Sequence, residues 1–349
     1  MVVPEPTPAM LHALARIREP DVVAPFAPPG WLLALRPNGP LSRRAVPRAS
    51  AAEWPTASLA AELTAELALS AWASGHADRV LRASFLRRVW ADRRAAPRIT
   101  SDLSLVVAPT LGGRRSLARA RALGVATALV MDLPALRRLH HDLDTASARW
   151  PESQFLRRFR APAGWIAQQE AEWALADVVV VRSDLAARLV APAAASVALL
   201  SPLTAVSPPT RPARHVFLAG GSAARHGTFE VEQLLALCPE LRVGLRVTEG
   251  TEPRRLVSHP RVTVVPGTRE PLLAGIDAVI ALAWTEAEPR ELALAARAGV
   301  PVVATPQASG PFVGHAHLDP GDVAALRGAL SGHARAAPPP AWLPWQPET

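Results

Sequence analysis

Short apolar runs alternate with segments of helical apolar spacing from about residue 100 to residue 330. Such runs, bounded by Gly, Pro or Asp, predict buried strands, and the spacing between them predicts helices. The predicted strands cover 103–109, 125–131, 177–183, 215–219, 241–247, 261–265, 277–283 and 300–304. The predicted helices cover 57–81 and its continuation over 71–94, then 116–123, 166–176, 184 onward, 228–237, 289 onward and 322–330. This alternation is typical of an α/β fold with parallel sheets.

Proline-rich segments divide the chain. The length favours two domains of roughly 150 residues each. We expect a first domain over 1–190, a proline-rich linker over 191–212, a second domain over 213–335 and a proline-rich tail over 336–349. Residues 1–55 show little periodicity, and only 21–23 and 31–35 are strand candidates there.

The chain is strongly basic. Its formal net charge is +8, and all 38 basic residues are arginine. A GC-rich coding sequence explains this bias; the functional alternatives are an anionic membrane face or nucleic acid. Because no nucleic-acid recognition motif is present, we expect no nucleic-acid partner. Peripheral association with an anionic membrane remains an alternative.

The sequence predicts a cytoplasmic protein, or one peripheral at the inner membrane face. Its single cysteine, Cys238, fits a reducing compartment. No segment is apolar for long enough to predict a membrane span, and residues 1–30 hold no signal-length apolar run.

One candidate site lies in the strand–helix–strand segment 277–305. Glu286 follows the strand, Pro289 opens the helix, and Arg290 and Glu291 follow it. Ligands bind at the carboxyl edge of a parallel sheet, so this acidic loop is a binding candidate. Arg290 is placed to hold Glu286 across one turn. The alternative is that the acidic residues only complement the helix dipole.

A second candidate is the glycine-rich loop that follows strand 215–219. Gly220 and Gly221 would let the backbone approach a diphosphate, and Gly227 precedes a helix whose first amides are unpaired. Arg225 would neutralise the phosphates, and His226 adds a single hydrogen bond. The alternative is a solvated turn.

A third candidate is Asp132, at the end of strand 125–131, which could hydrogen-bond a ligand or only cap a turn. Metal-ligand spacing is absent, so we expect no metal and no cofactor. A nucleophile elbow and a dinucleotide fingerprint are absent as well.

Four segments, taken in order, resemble the GT-B retaining glycosyltransferases of family 4, in a divergent bacterial form. They are Met131-Asp-Leu-Pro134, 170–183, the loop 217–227 and the unit 277–305. The resemblance implies two Rossmann-like domains with parallel sheets facing an interdomain cleft. It also implies metal-independent transfer of a hexose from a UDP- or GDP-sugar to an unknown acceptor, with retention.

The resemblance further implies a role for each residue. Arg225 and His226 would contact the diphosphate, and Glu286 the donor sugar. Asp132 would hydrogen-bond hydroxyls of the acceptor or of the donor sugar. Leu294 stands where the family has its second Glu, which makes Glu291 the candidate for the ribose.

Two alternatives to an active transferase remain. One is a degenerate GT-B protein that binds a nucleotide-sugar or a partner without catalysis. The other is a GT-B epimerase or a phosphorylase-like enzyme.

Overall fold

The computed structural model describes residues 77–199, 204–247, 254–265, 273–286, 290–310, 312–313 and 315–333. Its helices are α1 (Ala77–Ala95), α2 (Arg114–Ala122), α3 (Leu136–Arg149), α4 (Gln154–Arg158), α5 (Ala163–Leu175), α6 (Asp184–Val190), α7 (Thr228–Leu237), α8 (Arg254–Val257), α9 (Arg290–Ala298), α10 (Pro306–Ser309) and α11 (Val323–Gly328). Its strands are β1 (Leu105–Pro109), β2 (Ala126–Val130), β3 (Val178–Val181), β4 (Val197–Leu199), β5 (Thr204–Ala205), β6 (His215–Leu218), β7 (Arg242–Arg246), β8 (Val262–Val265), β9 (Ala278–Ala281), β10 (Val302–Ala304), β11 (Phe312–Val313) and β12 (Ala316–His317).

The described residues form two compact units. Unit 1 contains 77–133, 162–180 and 190–197. Unit 2 contains 134–161, 181–189 and the described residues from 198 onward. Among the described helices, none has the length and apolar character that crossing a bilayer requires.

The first sheet has the strand order β1-β2-β3-β4. β1 and β2 pair in parallel with Leu105 opposite Ala126, and β2 pairs in parallel with β3. A cluster of buried apolar side chains joins α1, β1 and α2; it comprises Ala95, Ile99, Val106, Ala120 and Val125. This burial anchors α1 and α2 to unit 1.

The second sheet, in unit 2, has the order β12-β10-β9-β6-β7-β8, and every pair is parallel. From β6 the chain adds β7 and β8 on one side and then returns to add β9, β10 and β12 on the other. The direction of strand addition therefore reverses between β6 and β9. In open α/β sheets such a switch point opens a crevice at the carboxyl ends of the two strands.

Both faces of β6 and β9 are buried, which explains why these strands are continuous apolar runs. Val216 and Leu218 belong to the core cluster on one side of the sheet, which also holds Leu234 of α7. Phe217 and Ala219 point into the cluster on the other side. Side chains alternate across a strand, so each run supplies both cores at once.

The α/β class with two parallel sheets is confirmed, and each predicted strand from residue 103 onward is present. The short strands β4, β5, β11 and β12 were not predicted, because two or three residues carry no periodic signal. The strand candidates 21–23 and 31–35, and the helix predicted to start at residue 57 up to residue 76, lie outside the described residues. The domain, linker and tail boundaries stay predictions.

Two buried carboxylates hold the start of α2 in unit 1. Glu172 accepts hydrogen bonds from the amides of Leu111 (2.5 Å) and Gly113 (3.1 Å), and Asp92 accepts from the amide and the hydroxyl of Ser116. The amides of a first helical turn lack partners within the helix, so these side chains satisfy them. Burial outweighs those bonds and raises the pKa of Glu172 to about 7.

The free energy of unfolding should fall with rising pH because of Glu172. The folded pKa of Glu172 lies above its ordinary value of 4.5, so the folded state holds the proton more tightly. The stabilisation is present below about pH 4.5 and lost as the pH passes about 7, by up to about 3 kcal/mol. We expect the melting temperature of wild type to drop over this window, measured by calorimetry.

Glu172→Gln should remove that part of the pH dependence, while Glu240→Gln, at an exposed turn, should keep it. Parallel melting-temperature curves for wild type and Glu172→Gln between about pH 4.5 and pH 8 would contradict the assignment.

Candidate functional site

The candidate site lies at the switch point of the unit 2 sheet. The loop 219–227 follows β6, and the loop 282–286 follows β9. Because β6 and β9 are paired neighbours, the two loops leave the same edge side by side. A backbone hydrogen bond joins them: the Trp284 amide donates to the Arg225 carbonyl at 2.8 Å. Two predicted segments about 60 residues apart thus form one constellation.

The glycines of loop 219–227 adopt conformations that other residues avoid. Gly220, Gly221 and Gly227 have φ angles of 84°, 86° and 84°. A Cβ at Gly220 would stand 2.7 Å from Nδ1 of His226, and a Cβ at Gly227 would collide with the backbone and side chain of Leu282. Gly220 therefore lets the His226 ring pack closely, and Gly227 lets the loop pack against Leu282.

Arg225 is the cation of the site. It lies in a 3-10 turn, Ala224–His226, directly before α7. Its guanidinium lies 5.4 Å from the ring centre of Phe159, and its Nη1 is 3.4 Å from the hydroxyl of Thr285. Among the described residues no carboxylate pairs with it. Burial lowers its pKa to about 10, so the group stays charged at neutral pH.

His226 is buried and neutral. Burial, and then the charge of Arg225, lower its pKa well below the ordinary value. Its Nδ1 has no hydrogen-bond partner among the described residues, and the ring packs against Gly220. A neutral imidazole offers one donor and one acceptor, so it adds no positive charge to the site.

Glu286 lies at the end of the loop after β9 and is held by a hydroxyl. Ser183 donates its Oγ–H to Oε1 of Glu286 at 2.5 Å. The same Oγ accepts from the Ala186 amide at 3.0 Å, which caps α6. The Ser183 bond fixes how the carboxylate is presented. Thr285 is fully buried and directly precedes Glu286, and its hydroxyl contacts Nη1 of Arg225.

Glu291 lies on the first turn of α9, buried against β7. Its Oε1 is 3.4 Å from Nε of Arg246, at the end of that strand. Leu294 follows on the same helix and is partly buried. Arg290 begins α9, and its predicted contact with Glu286 stays a prediction. The role of Glu291 at a ribose also stays a prediction; the structure adds Arg246 as its partner.

Asp132 belongs to unit 1 and forms a bidentate ion pair with Arg88 of α1. The two oxygens lie 2.8 and 2.7 Å from the guanidinium nitrogens. Nη1 of Arg88 also donates to the Thr110 carbonyl after β1. Arg88 thereby ties together the ends of β1 and β2. This geometry favours a structural role, and binding of sugar hydroxyls by Asp132 stays a prediction.

Sequence reasoning gave no role to Ser183, Thr285, Phe159 or Arg246. Thr285 could have been found, since it directly precedes Glu286 in the acidic loop. Ser183 ends the segment 170–183, but nothing local links it to Glu286, which is 103 positions away. Partners this distant follow only from strand order.

The constellation can bind a ligand with an anionic part and a hydroxylated part. Arg225 attracts an anion, and the helix dipole of α7 adds a positive end nearby. Glu286 can accept hydrogen bonds from hydroxyls. Within the described parts of the chain, no group of three His, Cys, Asp or Glu side chains is arranged to hold a metal.

Of the comparisons with known proteins, the one with solved structures finds matches. No family model matches the chain, and no curated protein does. Similar solved structures include HepE of Anabaena in complex with UDP-glucose, with 14% identity, 94% of this chain and 88% of that chain covered, and a TM-score of 0.49. Another is a UDP-glucosyltransferase of Polygonum tinctorium that glucosylates indoxyl, with 13% identity, 87% and 78% covered, and a TM-score of 0.44.

A third is a UDP-forming α,α-trehalose-phosphate synthase of Burkholderia vietnamiensis, with 13% identity, 73% and 71% covered, and a TM-score of 0.44. The solved structures that this chain resembles in fold thus include GT-B glycosyltransferases. At this level of identity and superposition the likeness concerns the fold alone.

Gly227→Ala should destabilise the protein far more than Gly275→Ala. Both glycines have positive φ, 84° and 76°, but a Cβ would meet Leu282 at position 227 and nothing within 4 Å at position 275. Gly275→Ala should cost about 1–2 kcal/mol and Gly227→Ala about 2–3 kcal/mol more. Melting temperatures measured by calorimetry should differ by roughly 4 °C or more between the two variants. Equal losses would show that loop 219–227 is not packed against Leu282.

Proposed function

We propose that this chain is a GT-B-type glycosyltransferase that moves a hexose from a UDP- or GDP-sugar to an acceptor, with retention and without a metal. The observation that carries the proposal is Arg225, a guanidinium without a carboxylate partner among the described residues, at the switch point of a parallel sheet. It contacts Thr285, the residue that directly precedes Glu286. The proposed setting is cytoplasmic, and family 4 and a bacterial origin belong to the same proposal.

Arg225 would stabilise the leaving group. In the proposed reaction the bond between C1 of the sugar and the diphosphate oxygen breaks. The acceptor oxygen forms the new bond to C1 on the same face, and its proton is released. Negative charge develops on the departing diphosphate, and a fixed cation in a partly buried site stabilises it without reorganisation. The negative charge of an anion there would also offset the desolvation that lowers the pKa of Arg225.

Glu286 would hold the sugar. The Ser183 hydroxyl keeps one carboxylate oxygen in a defined position, so the carboxylate can accept sugar hydroxyls without first being ordered. Fixed acceptors that bind the flattened sugar of the transition state better than the ground state raise the catalytic rate. His226 would contact the diphosphate as a neutral hydrogen-bond donor.

Two observations favour a non-catalytic nucleotide-sugar binder as the second candidate. His226 is neutral where a second cation would help the leaving group, and Glu291 is held by Arg246. Donor turnover distinguishes the candidates, because a binder retains nucleotide affinity and releases no free nucleotide.

We also propose peripheral association with an anionic membrane face. Helix α2 carries four exposed arginines and no acidic residue; they are Arg114, Arg115, Arg119 and Arg121. Each basic residue near an anionic surface contributes about 1 kcal/mol. An acceptor anchored in such a membrane would be accessible to the protein.

UDP or GDP should raise the melting temperature of wild type, and Arg225→Ala should lose most of that shift. Mass action gives about 2.7 kcal/mol of stabilisation when the ligand is at 100 times Kd. Removing the charge-assisted bonds should weaken binding roughly 10- to 100-fold, measured by titration calorimetry. Arg242→Ala, an exposed arginine at the start of β7, is the matched control and should bind as wild type does. No stabilisation of wild type by either nucleotide at millimolar levels would overturn the proposal.

Glu286→Gln should lower donor turnover more than donor affinity. If 2–4 kcal/mol of transition-state stabilisation is lost, the rate falls roughly 30- to 1000-fold. The assay follows release of UDP or GDP from UDP-glucose or GDP-mannose by slow hydrolysis, and the anomer released first reports retention. Ser183→Ala, which keeps the carboxylate and removes its donor, should give a smaller fall in kcat. Glu291→Gln should instead weaken nucleotide binding.

Two outcomes of this assay count against the proposal. Turnover lost with EDTA and restored only by Mn²⁺ or Mg²⁺ contradicts metal independence. If wild type binds nucleotide yet hydrolyses neither donor, and Glu286→Gln changes only the melting temperature, the non-catalytic reading replaces the transferase.

A further inference from the structure

Glu230 is a buried carboxyl that the proposed reaction does not use. It lies on the first turn of α7 and is 2% exposed. Its Oε1 accepts a hydrogen bond from the indole Nε1 of Trp284 at 2.6 Å, and the side chain of Trp150 also interacts favourably with the carboxylate. Burial raises its pKa. Because burial outweighs these contacts, the carboxyl costs stability at this position, which points to a role other than stabilising the fold.

Trp284 joins this carboxyl to the donor site. Its backbone amide donates to the Arg225 carbonyl at 2.8 Å, and Thr285 and Glu286 follow it directly in the chain. Its ring is packed closely on another side, since a Cβ at Gly321 would stand 3.0 Å from Cζ2. An indole held in place therefore holds the backbone from which the side chains of Thr285 and Glu286 project.

Neighbouring residues also pack around the start of α7. Phe229, next to it on α7, stacks on Trp150 with ring centres 5.0 Å apart and an interplanar angle of 18°. Arg149, at the end of α3, contributes an attractive charge. Helix α7 thus holds Glu230 in place from its own first turn, directly after the loop that carries Arg225.

We propose that Glu230 is a positioning residue of the donor site, which acts through Trp284 to hold the loop 282–286 against Arg225. This inference rests on the proposed function, because the loop matters only if Arg225 and Glu286 bind a nucleotide-sugar. Glu230 itself touches neither the diphosphate nor the sugar. Its effect reaches the ligand through one hydrogen bond and the chain that follows Trp284.

The test is a double-mutant cycle with nucleotide binding and donor turnover as readouts. Glu230→Leu and Trp284→Phe each remove the hydrogen bond from one side and retain an apolar body. We expect each to weaken UDP or GDP binding, or to lower kcat with UDP-glucose or GDP-mannose, by about tenfold. The double variant should be no worse than the more damaged single variant, because both remove the same interaction.

A conservative variant of Glu230 distinguishes a positioning role from an effect on overall stability. Glu230→Gln retains an oxygen that accepts the indole N–H, and it should bind UDP or GDP within about twofold of wild type. Glu232→Leu makes the same change two residues further along α7, at a half-buried position, and should leave binding and turnover unchanged.

Each outcome has a defined meaning. If wild type binds neither nucleotide, the proposed function and this inference both fail. If wild type binds, and Glu230→Leu and Trp284→Phe bind and turn over as wild type while only their melting temperatures change, the positioning role alone is overturned. Additive losses in the double variant, or a Glu230→Gln as defective as Glu230→Leu, would overturn it as well.

Discussion

The parallel pairing of β6 with β9 is the constraint on which the candidate site depends. Val216 lies opposite Ala278 and Leu218 opposite Ile280, although the strands are about 60 residues apart. Burial of both faces fixes this register, because a slip by one residue would exchange the side chains of the two cores. The loops after the two strands are therefore neighbours, and Arg225 meets Thr285 as a consequence.

The site holds ionisable side chains in buried positions, which costs folding free energy. Burial lowers the pKa of Arg225 and of His226 and raises that of Glu230. Each group would be better solvated at the surface, and the left-handed glycines of the loop add backbone constraint. Such arrangements cluster where binding or catalysis needs preorganised charge, since a ligand completes the missing interactions.

The two units use the start of a helix after a parallel strand in opposite ways. In unit 1 the amides at the start of α2 bind the carboxylates of Glu172 and Asp92, so the protein supplies its own anions. In unit 2 the loop before α7 carries Arg225 and a neutral His226 instead, and no carboxylate among the described residues pairs with the guanidinium. The same local topology gives a structural cap in one unit and a candidate ligand site in the other, because function depends on the side chains that the fold brings together.

The sequence alone determined the strands that form apolar runs, which exclude β4, β5, β11 and β12, and it determined the glycines of the loop 219–227. Apolar runs and Gly positions record local backbone requirements. It also determined that Arg225 and Glu286 lie in the loops that follow β6 and β9. Only the tertiary structure decided the partners: Glu286 with Ser183, and Glu291 with Arg246. The first pair is 103 residues apart and the second is 45 residues apart, and strand order, which no local pattern records, sets which loops become neighbours.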